Sequence, residues 1–492
     1  MPHETSALDA LPLQHSYAAL PPAFFRRVAP TPVRAPSWLA FNDPLAKELG
    51  LEALAADPGA LQVFAGNAVP ASAQPLAMAY AGHQFGHFVP QLGDGRAILL
   101  GELIDRAGQR RDLQLKGAGP TPFSRNGDGR AAVGPVLREF LVSESMHALG
   151  IPTTRALAAV ATGEPVFREG PVPGAVLVRV AASHVRVGTF QYFAAREDTA
   201  GLRQLADYVI ARHYPALAEA PQPYLALLEA VAGRQAALVA QWLHVGFIHG
   251  VMNTDNSTLS GETIDYGPCA FLDEYDPQKV LSAIDRGGRY AYGNQAGVIR
   301  WNLARLAETL LPILHESPEQ ALVQASAVIE QFPAVFAGHW LAGMRRKLGL
   351  ATAEPDDEAL ANDFLQALQA TAADYTLAFR ALCEARDSMA TPEGLPRTPA
   401  MDAWLLRWRA RLGRDGATPA DQVQRLRASN PAVIARNHHV HAALVAAEQG
   451  NLAPFDALLA AVRDPFNDGP GFAPYRAPPR PEQRVLQTFC GT

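Results

Sequence analysis

The 492-residue chain has only three cysteines, Cys269, Cys383 and Cys490, too few and too scattered for a disulfide framework or a four-cysteine zinc site. A reducing compartment is the simpler expectation. It also lacks long runs of one charge sign. Its 42 basic and 48 acidic residues are interspersed, so no polyanion-binding footprint exists and nucleic acid is disfavoured as the main partner. No stretch approaches about 18 uninterrupted apolar residues, and the opening Met-Pro-His-Glu-Thr has an early acid and no hydrophobic leader core. A cytoplasmic protein without a membrane partner is expected. Internal repeats and low-complexity tracts are missing too. What is plentiful is hydrophobic residues, 48% of the chain, enough for a large core and for a two-lobed enzyme.

Prolines 12, 21, 22, 30, 32 and 36 punctuate residues 11 to 45 and favour an extended path that wraps a lobe. The patterns at Arg96 to Leu103 and Asp112 to Lys116, flanking the polar connector Asp105 to Gln109, predict an antiparallel hairpin whose second strand ends at Lys116. After a glycine-rich run from Gly117 to Gly134, Pro135 suits a first helical turn, and Gly150-Ile151-Pro152 stops the helix. Residues 174 to 180 read as another strand, and from about 200 the chain turns mainly helical. Leu225 to Leu243, Val298 to Leu314, Glu358 to Arg386 and Met401 to Leu412 are the helical candidates there. The expected organisation is a wrapping segment over 1–80, a nucleotide-binding region over 81–200, a helical lobe over 201–475 and an extended tail over 476–492 bearing Cys490.

Two short segments carry chemistry: Leu-Gln-Leu-Lys-Gly at 113 to 117, and the stretch from His249 through Asn256 to Ile264-Asp265-Tyr266-Gly267. Their order and residue types are those of a kinase-like nucleotide site, with a lysine for phosphate and an Asn/Asp pair for a metal ion. One residue is missing. Where a kinase loop reads His-x-Asp-x-x-x-x-Asn, this chain has Val251, so the usual catalytic aspartate is absent. If Ser260-Gly261 forms a two-residue hairpin turn, strand partners sum to 521 and Asn256 faces Asp265, with Cβ atoms about 5 Å apart. An amide oxygen and a carboxylate so placed suit Mg²⁺ or Mn²⁺. An ordinary Asx-rich turn is the bland alternative, outweighed by the flanking His249-Gly250 and Tyr266-Gly267.

Lys116 would pair with phosphate, oriented by a carboxylate on the following helix. Glu139 is the natural candidate, although Glu144 or neither is open. Gly93-Asp94-Gly95-Arg96 and Gly127-Asp128-Gly129-Arg130 would let backbone amides approach phosphates, or form plain tight turns. Arg179 and Arg186 would add bidentate phosphate contacts, with a structural role an equal alternative. His83-x-x-x-His87 has helical metal spacing but no zinc-protease glutamate, and His438, His439 and His441 lack an acidic or cysteine partner at ligand spacing. All five are read as structural or hydrogen-bonding.

Tyr80-Ala-Gly-His-Gln-Phe-Gly-His87, Gln91-Leu-Gly-Asp-Gly-Arg-Ala97, Leu115-Lys-Gly-Ala-Gly-Pro-Thr-Pro-Phe-Ser-Arg125, Gly127-Asp-Gly-Arg-Ala131 and Met252-Asn-Thr-Asp-Asn256 with Asp265-Tyr-Gly-Pro268 resemble the selenoprotein O family, in its bacterial cysteine form. Asn430-Pro431 and Arg436-Asn437 extend the resemblance almost end to end. It implies an α+β, protein-kinase-like two-lobed fold with a mainly helical, larger C-terminal lobe. It further implies a pseudokinase that binds ATP in reverse and transfers AMP, with UMP from UTP also possible, to Ser, Thr or Tyr hydroxyls of protein substrates. By motif, Asp255 would accept the proton, Asn256 and Asp265 would hold the metal, and Glu139 would partner Lys116. Gly93, Gly95, Arg96, Lys116, Asp128, Gly129, Arg179, Arg186 and Asp265 would contact the nucleotide or its metal. Cys490 occupies the family's terminal cysteine position, but its neighbours Phe489 and Gly491 differ from the commoner tail. A cysteine of some relatives corresponds to Ser282 here, which leaves Cys269 as the replacement partner for any regulatory disulfide with Cys490. The rival readings are a conventional protein or small-molecule kinase and a non-catalytic, redox-responsive nucleotide-binding scaffold.

Overall fold

The structure, a computed structural model, describes residues 11–388 and 390–489. In chain order the strands are β1 (Phe25–Arg27), β2 (Ser37–Phe41), β3 (Leu76–Met78), β4 (Gly82–Gln84), β5 (His87–Val89), β6 (Ala97–Ile104), β7 (Arg110–Lys116), β8 (Ala131–Ala132), β9 (Arg155–Phe167), β10 (Pro171–Ala181), β11 (Phe247–Ile248) and β12 (Ala270–Phe271). The main antiparallel sheet runs β1-β3-β6-β7-β10-β9-β2, with β8 pairing on β10. Both of its outer strands come from the proline-punctuated N-terminal stretch. Proline and short strand length suit an edge, where an unpaired ladder must not recruit another chain.

The β6–β7 hairpin has the expected register, pairing Ala97 with Lys116 and Ile104 with Arg110. Its strands are largely buried because both faces of the sheet are covered, with Asp112, Gln114 and Lys116 sharing one face of β7. One face packs on α1 (Asp43–Leu49) and α2 (Pro58–Phe64), where Leu45, Phe64, Ile98, Leu113 and Val178 form one core. The other face meets α3 (Val133–Ala148), whose Leu137, Phe140 and Leu141 continue into the helical part of the molecule.

That part comprises α4 (Val187–Ala194), α5 (Thr199–His213), α6 (Pro223–His244), α7 (Gln295–Leu314), α8 (Pro318–Lys347), α9 (Asp357–Ala370), α10 (Tyr375–Ala385), α11 (Pro399–Arg414), α12 (Pro419–Ser429), α13 (Asn437–Glu448) and α14 (Ala453–Val462). The mixture of helices and an antiparallel sheet is the α+β class. Prolines at the starts of α6, α8, α11 and α12 sit where the missing N–H costs nothing. Ser317, Thr398 and Thr418 cap three of these helices by accepting backbone N–H bonds. Helix α8 is long and apolar enough to cross a membrane by length and composition. In this fold its buried Ala321, Ala325, Val328 and Phe332 instead join the core formed by α6 and α7.

Three local expectations are corrected. Glu358 to Arg386 is two helices, α9 and α10. The chain leaves helical geometry at Ala372 (φ 49°), and Asp374 restarts it by accepting from Leu377 N–H at 2.8 Å. His83 and His87 lie on the β4–β5 hairpin, where Gln84 pairs with His87, so they are not one helical turn apart. Finally, Ser260-Gly261 does not close a β-ribbon. The Thr258 hydroxyl bonds both the N–H and the C=O of Glu262, while Thr258 and Thr263 bridge outward to Arg186 and Thr153. A side-chain hydroxyl has taken the place of the ladder.

Candidate active site

A cleft of about 750 Å³ is lined by the β4 end and the 92–97 turn, the ends of β7 and β10, the glycine-rich loop and the 251–265 segment. Within it lie Gly93, Gly95, Arg96, Lys116, Asp128, Gly129, Arg179, Arg186, Asp255, Asn256 and Asp265. Glu139 faces its rear, in a small adjoining pocket that also includes Lys116 and Asp265.

At the inner end, Lys116 closes β7 between Ala97 and Leu177. Its ammonium lies 2.5 Å from Glu139 Oε2 and 2.5 Å from Asp265 Oδ1. Glu139 projects from α3, and its other oxygen accepts from Arg179 at 3.1 Å. Arg179 spends its remaining contacts on Gln114 Oε1, at 2.6 and 3.2 Å. Glu144 points elsewhere: it takes Arg155 at 2.7 and 3.0 Å. Asp265 has a left-handed backbone (φ 69°), a conformation aspartate tolerates better than most residues. Burial opposes its ionisation, but Lys116 and Arg96 beside it hold its carboxyl far below the usual range. Below it, His249 Nε2 donates to the Ile264 carbonyl at 2.9 Å and anchors the loop.

Ten residues earlier, Asp255 occupies a single 3₁₀ turn, Thr254–Asn256. Burial raises its carboxyl to about 6, against the pull of Arg186. Its Oδ2 accepts from Gln84 Nε2 at 3.3 Å, and its Oδ1 is buried with no hydrogen-bond partner among the described residues. Arg186 stacks over Tyr80 at 4.3 Å, donates to the Asp255 carbonyl at 3.3 Å and keeps one buried guanidinium nitrogen without a hydrogen bond.

The glycine turns are close approaches. A Cβ on Gly93 would fall 2.3 Å from the Phe123 ring, and one on Gly129 would fall 2.1 Å from the Gly119 carbonyl. Both have positive φ, so a side chain would be strained as well as obstructed. Asp128 accepts from the Arg130 N–H at 2.9 Å and pairs with Arg168 at 2.8 Å, which ties the glycine-rich loop to the β9–β10 tip.

No group of three or more His, Cys, Asp or Glu side chains is clustered to hold a metal among the described residues. A two-residue site on Asn256 and Asp265 is a different proposition, because phosphate and water would complete the shell. Asn256 commits its Nδ2 to the Val251 carbonyl at 3.0 Å, leaving the amide oxygen for another donor or cation. A neutral amide oxygen and an ionised carboxylate lining one cleft are donors that suit a hard divalent ion.

Cys269 is buried, its thiol pushed up to about 12 by burial. Cys490 lies outside the described residues. Of the histidines, His83 Nδ1 bonds Gln191 at 2.7 Å and His439 Nε2 bonds the Pro474 carbonyl at 3.0 Å, both hydrogen-bonding positions.

Sequence reasoning assigned no chemistry to Tyr80, Gln84, Asn253 or Tyr290, all at or beside the cleft. Asn253 Oδ1 accepts from Phe85 N–H at 3.0 Å and from Tyr290 OH at 2.7 Å. For Tyr80, Gln84 and Asn253 the available signal was their position inside strings already singled out, Tyr80 to His87 and Met252 to Asn256, while Tyr290 lies outside both and carried none.

Comparison with known proteins agrees in one direction. The family model described as protein adenylyltransferase SelO matches residues 8–463. The chain is 60% identical over 499 aligned residues to the protein nucleotidyltransferase YdiU of Rhizobium johnstonii, covering 99% of this chain and 100% of that one. It is 60% identical to the protein of the same name from Rhizobium etli strain CIAT 652, with 99% and 100% covered, and 58% identical to that from Bradyrhizobium sp. strain BTAi1, with 98% and 99% covered. The chain belongs to the SelO family of protein adenylyltransferases.

Proposed function

We propose that the enzyme transfers AMP from ATP to Ser, Thr or Tyr hydroxyls of proteins in the cleft between Lys116 and Asp255, and that it depends on Mg²⁺ or Mn²⁺, with UTP as a possible second donor. The fold we assign is protein-kinase-like and two-lobed. The sheet region over 81–200, completed by strands β1, β2 and β3 and helices α1 and α2 from residues 11–80, and the helical region over 201–475 form the walls of the cleft, and 476–489 form a tail. Lys116, Arg96 and Arg186 neutralise the triphosphate, while Gly93, Gly95 and Gly129 let backbone amides approach it. Arg179 acts mainly by bracing Glu139, and Glu139 orients Lys116. Asp128 holds the glycine-rich loop in place.

Asn256 and Asp265 would hold the cation. When bound, it supplies positive charge that offsets the negative charge of the phosphates. The acceptor hydroxyl oxygen forms a bond to the α-phosphorus, the bond from that phosphorus to the β-bridging oxygen breaks, and pyrophosphate leaves. Asp255 takes the hydroxyl proton. With Val251 at the kinase aspartate position, a carboxylate four residues on suits a reaction centre displaced from the γ- to the α-phosphorus.

The observation that carries this reading is the convergence of two differently treated carboxylates, one clamped by cations and one without a cation on its oxygens, on a cleft that also holds Lys116. Incubation with α-labelled or γ-labelled ATP, Mg²⁺ or Mn²⁺ and protein acceptors tests it. Covalent α-label is expected. γ-Label alone would make the enzyme a kinase, and ATP binding with neither label would make it a scaffold.

A further inference from the structure

Asp255 must offer its carboxylate at a set angle to the incoming hydroxyl, yet the single 3₁₀ turn that carries it, Thr254–Asn256, cannot fix a side-chain rotation by itself. What surrounds it is the β4–β5 hairpin. Two bonds join that hairpin directly to the 253–256 turn, and a third ties the turn to Gln191 on α4. His83 N–H donates to Thr254 Oγ1 at 2.7 Å, Thr254 Oγ1 donates to Gln191 Oε1 at 2.6 Å, and Phe85 N–H donates to Asn253 Oδ1 at 3.0 Å. Gln191 also bonds the His83 ring at 2.7 Å, which closes the circuit. The backbone of the hairpin therefore cannot shift relative to the turn without breaking several of these contacts, all at least partly buried.

On this fixed hairpin, Gly82 and Gln84 point to the same face, two residues apart on one strand. They meet the two oxygens of Asp255. At Gly82 a Cβ would stand 2.9 Å from Oδ1 and 3.1 Å from the Asp255 Cβ, so the absent side chain is the space in which Oδ1 lies. At Gln84 the amide Nε2 donates to Oδ2 at 3.3 Å. One position leaves room and the next holds on. The nearest guanidinium, that of Arg186, donates to the Asp255 backbone carbonyl and not to its carboxylate.

We propose that Gln84 is the positioning residue for the proton acceptor: its amide fixes the plane of the Asp255 carboxylate, with Gly82 supplying the clearance. This rests on the role given to Asp255 above. A neutral amide suits the task, because it orients an acid without neutralising it as an arginine or lysine would. Gln84 is partly exposed and lines the cleft next to Asp255, so it acts at the edge of the acceptor's approach and away from the Lys116 end where the triphosphate is held.

The test is a double-mutant cycle on the full chain with α-labelled ATP. Gln84→Leu keeps the bulk and removes the donor. It is expected to lower kcat by about 10- to 30-fold while KM for ATP and the calorimetric affinity for ATP stay within about twofold, as befits lost orientation of a reacting group. In an Asp255→Asn background the same substitution should change kcat by less than about twofold, because a residue acting through another has nothing left to act on. Retained kcat in Gln84→Leu, a matching loss of ATP affinity, or an equal loss in the Asp255→Asn background would each overturn the inference. If Asp255→Asn alone keeps wild-type kcat, the proton-acceptor reading fails and this inference falls with it. An inactive Asp255→Asn with an unimpaired Gln84→Leu removes the inference alone. Should Gln84→Leu fail to fold, Gln84→Met has a similar length, no charge and no amide donor, and it carries the same expectations.

Discussion

The two ends of the cleft treat the same residue type in opposite ways. Asp265 is gripped by Lys116 at 2.5 Å, with Arg96 close by, and stays ionised despite its burial. Asp255 is the more deeply buried of the two and touches a neutral amide, and burial raises its carboxyl to about 6. A carboxylate that must hold a cation has to be charged at every working pH. One that takes and returns a proton has to be less firmly committed. Separation of two acids by their surroundings is how a single site assigns such roles. The helix, strand and loop that deliver Lys116, Glu139 and Asp265 are therefore as much a part of the chemistry as the side chains.

The comparison breaks most visibly at its charged end. Asp265→Ala is expected to abolish metal-assisted ATP binding and to lower AMP transfer by about 10³-fold or more, since stabilisation by a bound cation is worth several kcal/mol. Titration calorimetry with ATP and Mn²⁺, beside α-label incorporation, measures both losses. Activity above a tenth of wild type would remove Asp265 from the ligand set. A smaller effect comes from Glu139→Gln, which leaves Asp265 as the one ionised partner of Lys116. KM for ATP should rise by about tenfold, or about 1.4 kcal/mol, with a lesser change in kcat. Glu144→Gln is the control five residues along α3. Glu144 pairs with Arg155 and Arg463, so KM should not move, and an equal rise in both variants would mean that the helix, not the ion pair, is responsible.

Glu139 and Glu144 also show where sequence stops being informative. Both are acids on one predicted helix, and which of them meets Lys116 depends on the rotation of α3 about its axis against a sheet built from distant segments. Local patterns served well where the cause was local. The apolar runs of β6 and β7 and the polar connector between them define their hairpin, and long helical periodicities define α6 and α7. Elsewhere a side chain overrode the backbone pattern: the Thr258 hydroxyl displaced the ladder expected around Ser260-Gly261, and Asp374 cut one periodic stretch into α9 and α10. Gln84 had no readable partner for the same reason that local pattern alone could not separate Glu139 from Glu144. Its contact with Asp255 spans 171 positions, and no periodicity encodes a meeting at that distance.

Glu262 sharpens the comparison at its smallest scale, because it is a third buried acid in the same stretch of chain with no assigned chemistry. Burial raises it to about 7, despite bonds from Ala182 N–H at 2.9 Å and Ser260 Oγ at 3.2 Å. Arg111 stands 3.7 Å away, too far to restore a normal acidity. The folded state thus binds this proton more tightly than the unfolded chain does. Below about 4.5, the ordinary glutamate range, both states are protonated and the group has no pH-dependent effect. As pH rises from there to about 7 the unfolded chain releases the proton first, so stability declines across that window and stays lowered above it. Glu262→Gln removes the titration. Its amide oxygen can still accept from Ala182 and Ser260, and its NH₂ can face the polar pocket lined by Glu48 and Asp105. The variant should exceed wild type in urea unfolding by about 1–2 kcal/mol at pH 8 and lose that margin by pH 5. A margin that is the same at both pH values would show that the gain comes from packing and not from an acid held out of water. AMP transfer should be unchanged throughout, because a raised carboxyl marks a working acid only where a substrate can reach it.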